Sequence, residues 1–160
     1  QACSALGLSA AVFASKVELS GDMLLATLRR MCALGMDSAR LCAAGVSGAL
    51  LFEALQAMEA LGLPAPAVGA LVVLEGEQLV EALGLLRWAR IAGPEAVEAL
   101  GLSGPPLLEA LRHMQALAVG GAAYDALLSP LSGGALLKAL HLMAWGGYSA
   151  SAVEAFALQP

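Results

Sequence analysis

The sequence predicts an all-α protein, an α-solenoid of helix-turn-helix repeats with a period of 27 to 29 residues and about five and a half copies. Three observations carry this prediction. A short alanine-marked segment recurs along the chain, the longer segments between these share one apolar pattern, and 59% of the residues are hydrophobic but only 4% aromatic. Each copy is too small to bury its own apolar face, so the copies are expected to stack around one elongated core.

The short segments carry two alanines three residues apart, with Cys42 replacing the second alanine in one copy. Their first alanines are Ala11, Ala39, Ala67, Ala96, Ala123 and Ala152. Alanine favours the helix and lets two backbones approach closely. The predicted short helices lie near 9–17, 37–44, 66–74, 94–100, 122–128 and 149–157.

The long segments place apolar residues at i, i+1, i+4, i+7 and i+10, which is one stripe of an α-helix and not the alternation of a strand. In the first copy the stripe consists of Leu24, Leu25, Leu28, Met31 and Leu34, and in the last copy it weakens at Gly146. The predicted long helices lie near 22–34, 49–61, 77–91, 105–118 and 134–145.

Serine and glycine mark the ends of the long helices. Ser20, Ser47, Ser103 and Ser132 each stand just before a helix start. There a serine oxygen can accept a hydrogen bond from a free N–H group of the first turn. Gly35 and Gly62 close the first two long helices, where glycine adopts the left-handed conformation without steric cost.

The chain 1–160 is interpreted as a single helical-repeat domain. Solenoids need polar capping repeats and neither end is polar, so we expect the array to belong to a longer array or chain, or to be covered in an assembly. Cys3, Cys32 and Cys42 have no C-x-x-C spacing and indicate neither a disulfide framework nor a zinc site. A reducing compartment fits them best.

Charged residues make up 13% of the chain, about half the usual fraction, so much of the surface is expected to be covered. Lipid is one possible cover. The longest thinly charged stretch, 114–153, is interrupted by Gly120, Gly121 and Pro130, and no apolar run approaches the roughly 20 residues that span a bilayer. Membrane embedding is therefore not expected, and burial against partner proteins explains the same composition.

Polar positions of successive long helices fall into two rows. One row holds Ala26, Glu53, Glu81, Glu109 and Lys138, and the next, three residues later, holds Arg29, Gln56, Gly84, Arg112 and His141. The i, i+3 spacing is expected to pair Glu109 with Arg112 on one helix. The rows form either a solvated face or part of a ligand groove. The candidate interaction edge of such a groove consists of Arg29, Arg30, Arg87, Arg90, Arg112, His113 and His141.

A groove for RNA would need positive charge, because phosphate neutralisation dominates that affinity. The chain instead carries 8 basic and 13 acidic residues, a net charge of −5. Motifs of serine hydrolases, dinucleotide-binding enzymes, P-loop proteins and zinc proteases are missing, so the chain is interpreted as non-enzymatic. The two histidines occupy unequal columns with Glu109 as the one well-placed acidic neighbour, and no metal or cofactor site is predicted.

Two segments carry a family resemblance: LSGGALLKALHLMAWGGY at 131–148 and SGALLFEALQAMEALGL at 47–63. They resemble the first helix of organellar helical-repeat proteins of the octotricopeptide and heptatricopeptide type, including those with RAP domains. The phrase Leu61-Gly62-Leu63 followed by a short helix is also similar to repeats of mitochondrial transcription termination factors. The resemblance implies work on organellar RNA or a structural role in an organellar ribosome. The period here is shorter, the charge is acidic and no RAP domain is present.

Together these observations predict a scaffold or interaction subunit of a large assembly, with a mitochondrial ribosome or related ribonucleoprotein as the assembly that the resemblance favours. Its partners would be other protein subunits. Two alternatives stay open: a sequence-tolerant RNA-binding module that uses the basic edge, and an accessory subunit of an organellar membrane complex.

Overall fold

Helices account for all the regular structure that can be described in this protein. The computed structural model describes residues 19, 21–36, 45–64, 71, 74–128 and 130–148, and no β-strand occurs among them. The helices of this part are α1 (Gly21–Leu34), α2 (Gly48–Ala60), α3 (Glu77–Ala89), α4 (Pro94–Ala99), α5 (Gly104–Ala116), α6 (Ala122–Leu127) and α7 (Gly133–Trp145). The all-α prediction is confirmed for the described part of the chain.

All five predicted long helices are present, as α1, α2, α3, α5 and α7. The short helices predicted near 94–100 and 122–128 correspond to α4 and α6. The predicted short helices near 9–17, 37–44 and 149–157 lie outside the described residues, as does nearly all of 66–74. The bounds agree to within one residue except at two ends: α3 stops at Ala89 and α5 at Ala116, each two residues earlier than predicted.

The starts of the long helices differ in detail from the prediction. Ser47, Ser103 and Ser132 do occupy the N-cap position with extended backbones, but none of their hydroxyls makes a capping hydrogen bond. The prediction of a serine side-chain cap is therefore wrong at these three helices, and Ser20 lies outside the described residues. The glycine after each serine has a φ of 53° to 57°, so a left-handed residue turns the chain into the helix.

Each long helix ends in the same backbone motif. An N–H group two or three residues past the end donates to the carbonyl five residues earlier, as from Leu63 to Met58 and from Val119 to Met114. This is a Schellman motif, and its left-handed position is glycine at Gly35, Gly62 and Gly147. Arg90 and Ala118 stand at the equivalent positions of α3 and α5 with φ values of 58° and 55°.

Burial of the residue that follows explains why the chain accepts this strain. Ile91 and Val119 come directly after the two left-handed residues and are 4% and 0% exposed. A turn that continued the helix would point these side chains elsewhere. Because burying such a side chain is worth about 1.5 to 3 kcal/mol, it outweighs a left-handed arginine or alanine. Because no glycine marks these turns, the sequence prediction extended α3 and α5 two residues too far.

The core follows the predicted apolar stripe. In α2, α3 and α5 the positions i, i+4, i+7 and i+10 are buried without exception, for example Leu51, Leu83 and Met114. The stripe fails at the two ends of the row: Leu25 is 53% exposed and Gly146 is also exposed. The structure also buries a position that the predicted stripe did not include, three residues after the first stripe residue of α1, α2, α3 and α5. This position is occupied by Thr27, Ala54, Ala82 and Ala110.

Each long helix packs against the next long helix along the chain: α1 on α2, α2 on α3, α3 on α5 and α5 on α7. Backbone hydrogen bonds also join the residue before each described short helix to the end of a long helix earlier in the chain. Gly93 N–H, just before α4, donates to the Leu61 carbonyl at 2.8 Å, and Gly121 N–H, just before α6, donates to the Ala89 carbonyl at 2.7 Å. Among the described helices, none is long and apolar enough to cross a membrane.

Candidate functional site

The two polar rows are exposed, and they meet across the boundaries between helices. Arg112 on α5 donates from Nε and Nη2 to Glu81 on α3, with both N–O distances 2.7 Å. Arg112 therefore does not pair with Glu109 on its own helix, and that prediction is wrong. The offset between successive helices sets the carboxylate row of one helix beside the basic row of the next.

The same offset brings Glu109 on α5 beside His141 on α7. Glu109 Oε1 lies 2.9 Å from His141 Nε2 and 4.0 Å from His113 Nε2, which is one turn further along α5. The two imidazole rings lie edge to face with their centroids 4.7 Å apart. Two predicted site residues, His113 and His141, thus share one carboxylate at the surface.

Arg30 makes a third contact between consecutive helices. Its Nε donates to Glu59 Oε2 at 2.8 Å, and its guanidinium carbon lies 4.7 Å from the ring centroid of Phe52. Both partners belong to α2, whereas Arg30 belongs to α1. The ring contact is a cation–π interaction, so this arginine is held by a charge and by an apolar face together.

The remaining members of the candidate interaction edge are free of such contacts within the described part of the chain. Arg29, Arg87 and Arg90 are exposed and have no carboxylate partner there. The seven residues predicted as one edge therefore divide into two groups. Arg30, Arg112, His113 and His141 face carboxylates, and three arginines face solvent.

The surroundings of Glu81, Arg112 and Tyr124 shift the pKa values of these three groups. The hydrogen bond from Arg112 lowers the pKa of Glu81, and the same bond raises the pKa of Arg112. Burial raises the pKa of Tyr124, and the negative charge of Asp125 raises it further. The ion pair between Glu81 and Arg112 therefore stays charged over a wider pH range than either group alone.

Two shallow clefts lie on either side of Arg90. One, of about 290 Å³, is lined by alanines around the end of α3 and in α4, by Gly121 just before α6, and by Tyr124 and Asp125 of α6. The other, of about 250 Å³, is bounded by Trp88, Ala118 and Gly120. The residues that line the two clefts include no serine, threonine, cysteine or histidine.

Apolar side chains lie exposed beside the polar rows. Trp88 is 42% and Trp145 is 90% exposed, so both tryptophans are at the surface, a placement that the sequence left open. Leu142 and Tyr148 lie exposed near Trp145, around the end of α7. Cys32 is exposed on α1, while Cys3 and Cys42 lie outside the described residues.

The sequence contained a signal for the paired rows that the prediction did not use. The acidic row is filled at Glu81 and Glu109, and the basic row of the following helix is filled at Arg112 and His141. Reading the rows diagonally, from one helix to the next, would have found both contacts.

Comparison with known proteins finds no matching family model, no similar curated protein and no similar solved structure.

Proposed function

We propose that this chain is a non-enzymatic scaffold or interaction subunit of a large assembly, built as an α-solenoid with a repeat of 27 to 29 residues. The observation that carries the proposal is the set of exposed apolar side chains on a row of consecutively packed helices. Trp145 at 90%, Leu142 at 66% and Leu25 at 53% exposure are large apolar groups that a partner surface would bury.

The backbone supports the repeat part of the proposal. Every long helix ends in a Schellman motif, and the glycines at the starts of the long helices have similar left-handed φ values. Gly93 and Gly121, at equivalent positions before α4 and α6, each donate a backbone hydrogen bond to the end of an earlier long helix. Units that repeat one conformation and contact their neighbours in order are the physical basis of a solenoid.

Pairing of the polar rows favours protein over RNA as the partner. Arg30 and Arg112, two of the predicted basic residues, already contact carboxylates of neighbouring helices. Phosphate would have to compete with these carboxylates, and the net charge of −5 opposes its approach. The resemblance of 47–63 and 131–148 to organellar helical repeats favours a mitochondrial ribosome or related ribonucleoprotein as the assembly. Contacts there would be made chiefly to its proteins.

The experiment that tests this proposal isolates the native complex of the full-length protein in mild salt and treats half of it with ribonuclease. Sedimentation and mass spectrometry then compare the two halves. A fast-sedimenting particle with ribosomal proteins and RNA supports the ribonucleoprotein assembly. A complex of other proteins that ribonuclease leaves intact supports a scaffold but rejects the ribosome. A monomer that sediments independently of concentration overturns the proposal.

A pair of matched variants tests the surface itself. The double substitution Leu142→Ser and Trp145→Ser removes the apolar groups at the end of α7 and is expected to release the chain from its complex. The control, Gln56→Ser with Gln115→Ser, changes two exposed polar residues of α2 and α5 and is expected to leave the complex intact. Equal release by both pairs, or by neither, contradicts a docking role for the α7 end.

A further inference from the structure

The cluster of Glu109, His113 and His141 contains both histidines of the chain. Each of the three side chains offers one ligand atom, and all three atoms lie within 4.8 Å of one another. Glu109 and His113 are one turn apart on α5, whereas His141 comes from α7. Two helices that pack against each other therefore present their ligand atoms to one point at the surface.

We propose that Glu109, His113 and His141 form a binding site for a divalent transition-metal ion such as Zn²⁺. Two imidazole nitrogens and one carboxylate oxygen are a donor set that Zn²⁺ accepts, whereas Mg²⁺ and Ca²⁺ prefer oxygen alone. Three protein ligands leave a fourth tetrahedral position, which water fills at this exposed site.

The distances suit such an ion after small side-chain movements. Ligand atoms at 2.0 to 2.1 Å from a tetrahedral zinc ion lie about 3.3 Å from one another. Glu109 Oε1 is 2.9 Å from one imidazole nitrogen and 4.0 Å from the other, so the two separations lie on either side of that value. All three side chains are partly exposed, and none of the three residues belongs to the buried core.

Binding would change the contacts between α5 and α7. In the structure, α5 and α7 are joined at this point by the hydrogen bond between Glu109 and His141, while His113 lies 4.0 Å from the same carboxylate oxygen. An ion would bind all three side chains at once and clamp the two helices together. Because only the folded chain assembles the three ligands, the ion stabilises the folded state by mass action.

Zinc binding can be measured directly on the unaltered chain. The full chain, freed of metal with a chelator, is titrated with ZnCl₂ while the ring signals of the two histidines are followed by NMR and the heat by calorimetry. We expect one ion per chain, with both imidazoles shifting together up to one equivalent, and a higher midpoint of thermal unfolding. Binding that leaves either imidazole unshifted, or no binding at micromolar Zn²⁺, overturns the proposal.

Variants distinguish metal binding at this site from metal binding by the cysteines. Glu109→Gln, His113→Ala and His141→Ala are each expected to weaken binding by about tenfold or more, the loss seen when even an outer partner of a ligand is removed. The control Glu81→Gln removes a carboxylate from the same row and is expected to leave the affinity unchanged. Titration with Co²⁺ distinguishes the ligands further, because a thiolate-to-cobalt charge-transfer band would assign the ion to cysteine and reject this site.

Each variant is first checked for its helical content and its metal-free unfolding midpoint. If a histidine variant loses its fold, the conservative Glu109→Gln exchange and the NMR titration of the unaltered chain decide the outcome on their own. Affinity that survives the loss of both histidines overturns the proposal.

Discussion

Arg112 on α5 holds Glu81 on α3 by two parallel hydrogen bonds, each 2.7 Å long, across the boundary between consecutive long helices. Glu109 on α5 stands in the same relation to His141 on α7. The equivalent position on α2 is Glu53, and the residue that would face it on α3 is Gly84, which has no side chain. Of the four boundaries between consecutive long helices, the two rows therefore meet at α3–α5 and α5–α7, while Arg30 and Glu59 join α1 to α2 outside the rows.

The contact with Arg112 predicts how Glu81 titrates. Arg112→Gln is expected to return the lowered pKa of Glu81 to the ordinary range of a glutamate, because the charged donor is lost. NMR titration of the Glu81 carboxyl carbon measures the change. Arg87→Gln is the matched control, since Arg87 lies on α3 itself and has no carboxylate partner among the described residues. A shift of similar size in the control would contradict the assignment to Arg112.

The same pair predicts a dependence of stability on pH. A carboxyl whose pKa is lowered by folding stabilises the folded chain above its unfolded pKa, and the contribution disappears as pH falls through its folded pKa. Glu81→Gln is therefore expected to unfold at lower denaturant than the unaltered chain at pH 7. The gap should shrink as pH falls below the ordinary pKa of a glutamate and close once pH passes below the lowered pKa of folded Glu81. The gap is small because the pair is exposed. A gap that is independent of pH would contradict the prediction.

Glycine at position 118 is expected to stabilise the chain. Ala118 has a φ of 55°, a left-handed conformation that costs a residue with a side chain about 1 to 2 kcal/mol. Ala118→Gly should raise the free energy of unfolding by about 0.5 to 1 kcal/mol, measured by urea denaturation. Ala116→Gly, the last residue of α5, should lower it, by a smaller amount because helix ends fray. Changes of the same sign in both variants would contradict the role of the left-handed backbone.

Alanine at position 84 is expected to stabilise the chain for the opposite reason. Gly84 lies in the middle of α3 with an ordinary helical backbone, and a Cβ atom there would meet nothing within 4 Å. Gly84→Ala should raise the free energy of unfolding by up to about 1 kcal/mol, the difference in helix propensity. Gly134→Ala, in equally open space in the first turn of α7, should give a smaller gain because helix ends fray. Thermal unfolding ranks the two, and a larger gain at Gly134 would refute the argument.

Gly101 is expected to tolerate no side chain. A Cβ atom there would lie 3.0 Å from the Gly133 nitrogen, whose N–H donates to the Leu100 carbonyl at 2.7 Å. Gly101→Ala should therefore cost the left-handed penalty of about 1 to 2 kcal/mol and also weaken this junction between α4 and α7. Gly62→Ala has nearly the same φ but open space around its Cβ atom, so it measures the backbone penalty alone. Equal losses of stability would show that the close approach costs nothing.

Local patterns explain why much of the fold was predictable. The apolar stripe of α2 identifies Leu51, Leu55 and Met58 as core, and the structure buries all three. A helix is set by contacts within a few residues, so the spacing of apolar residues is enough to predict it. The ends of α3 and α5 were missed because Arg90 and Ala118 carry no local sign of a left-handed turn. The turn depends on burial of Ile91 and Val119 against other helices.

The sequence by itself determined the long helices, their buried faces and the rows of polar residues on the other side, because each depends on periodicity within one helix. Only the tertiary structure decided which side chains of these rows meet. Glu81 contacts Arg112 and Glu109 contacts His141 because consecutive helices pack with an offset that sets the acidic row of one helix beside the basic row of the next. That offset is set by how the apolar faces and glycine junctions of neighbouring units fit together. No pattern within a single helix specifies it.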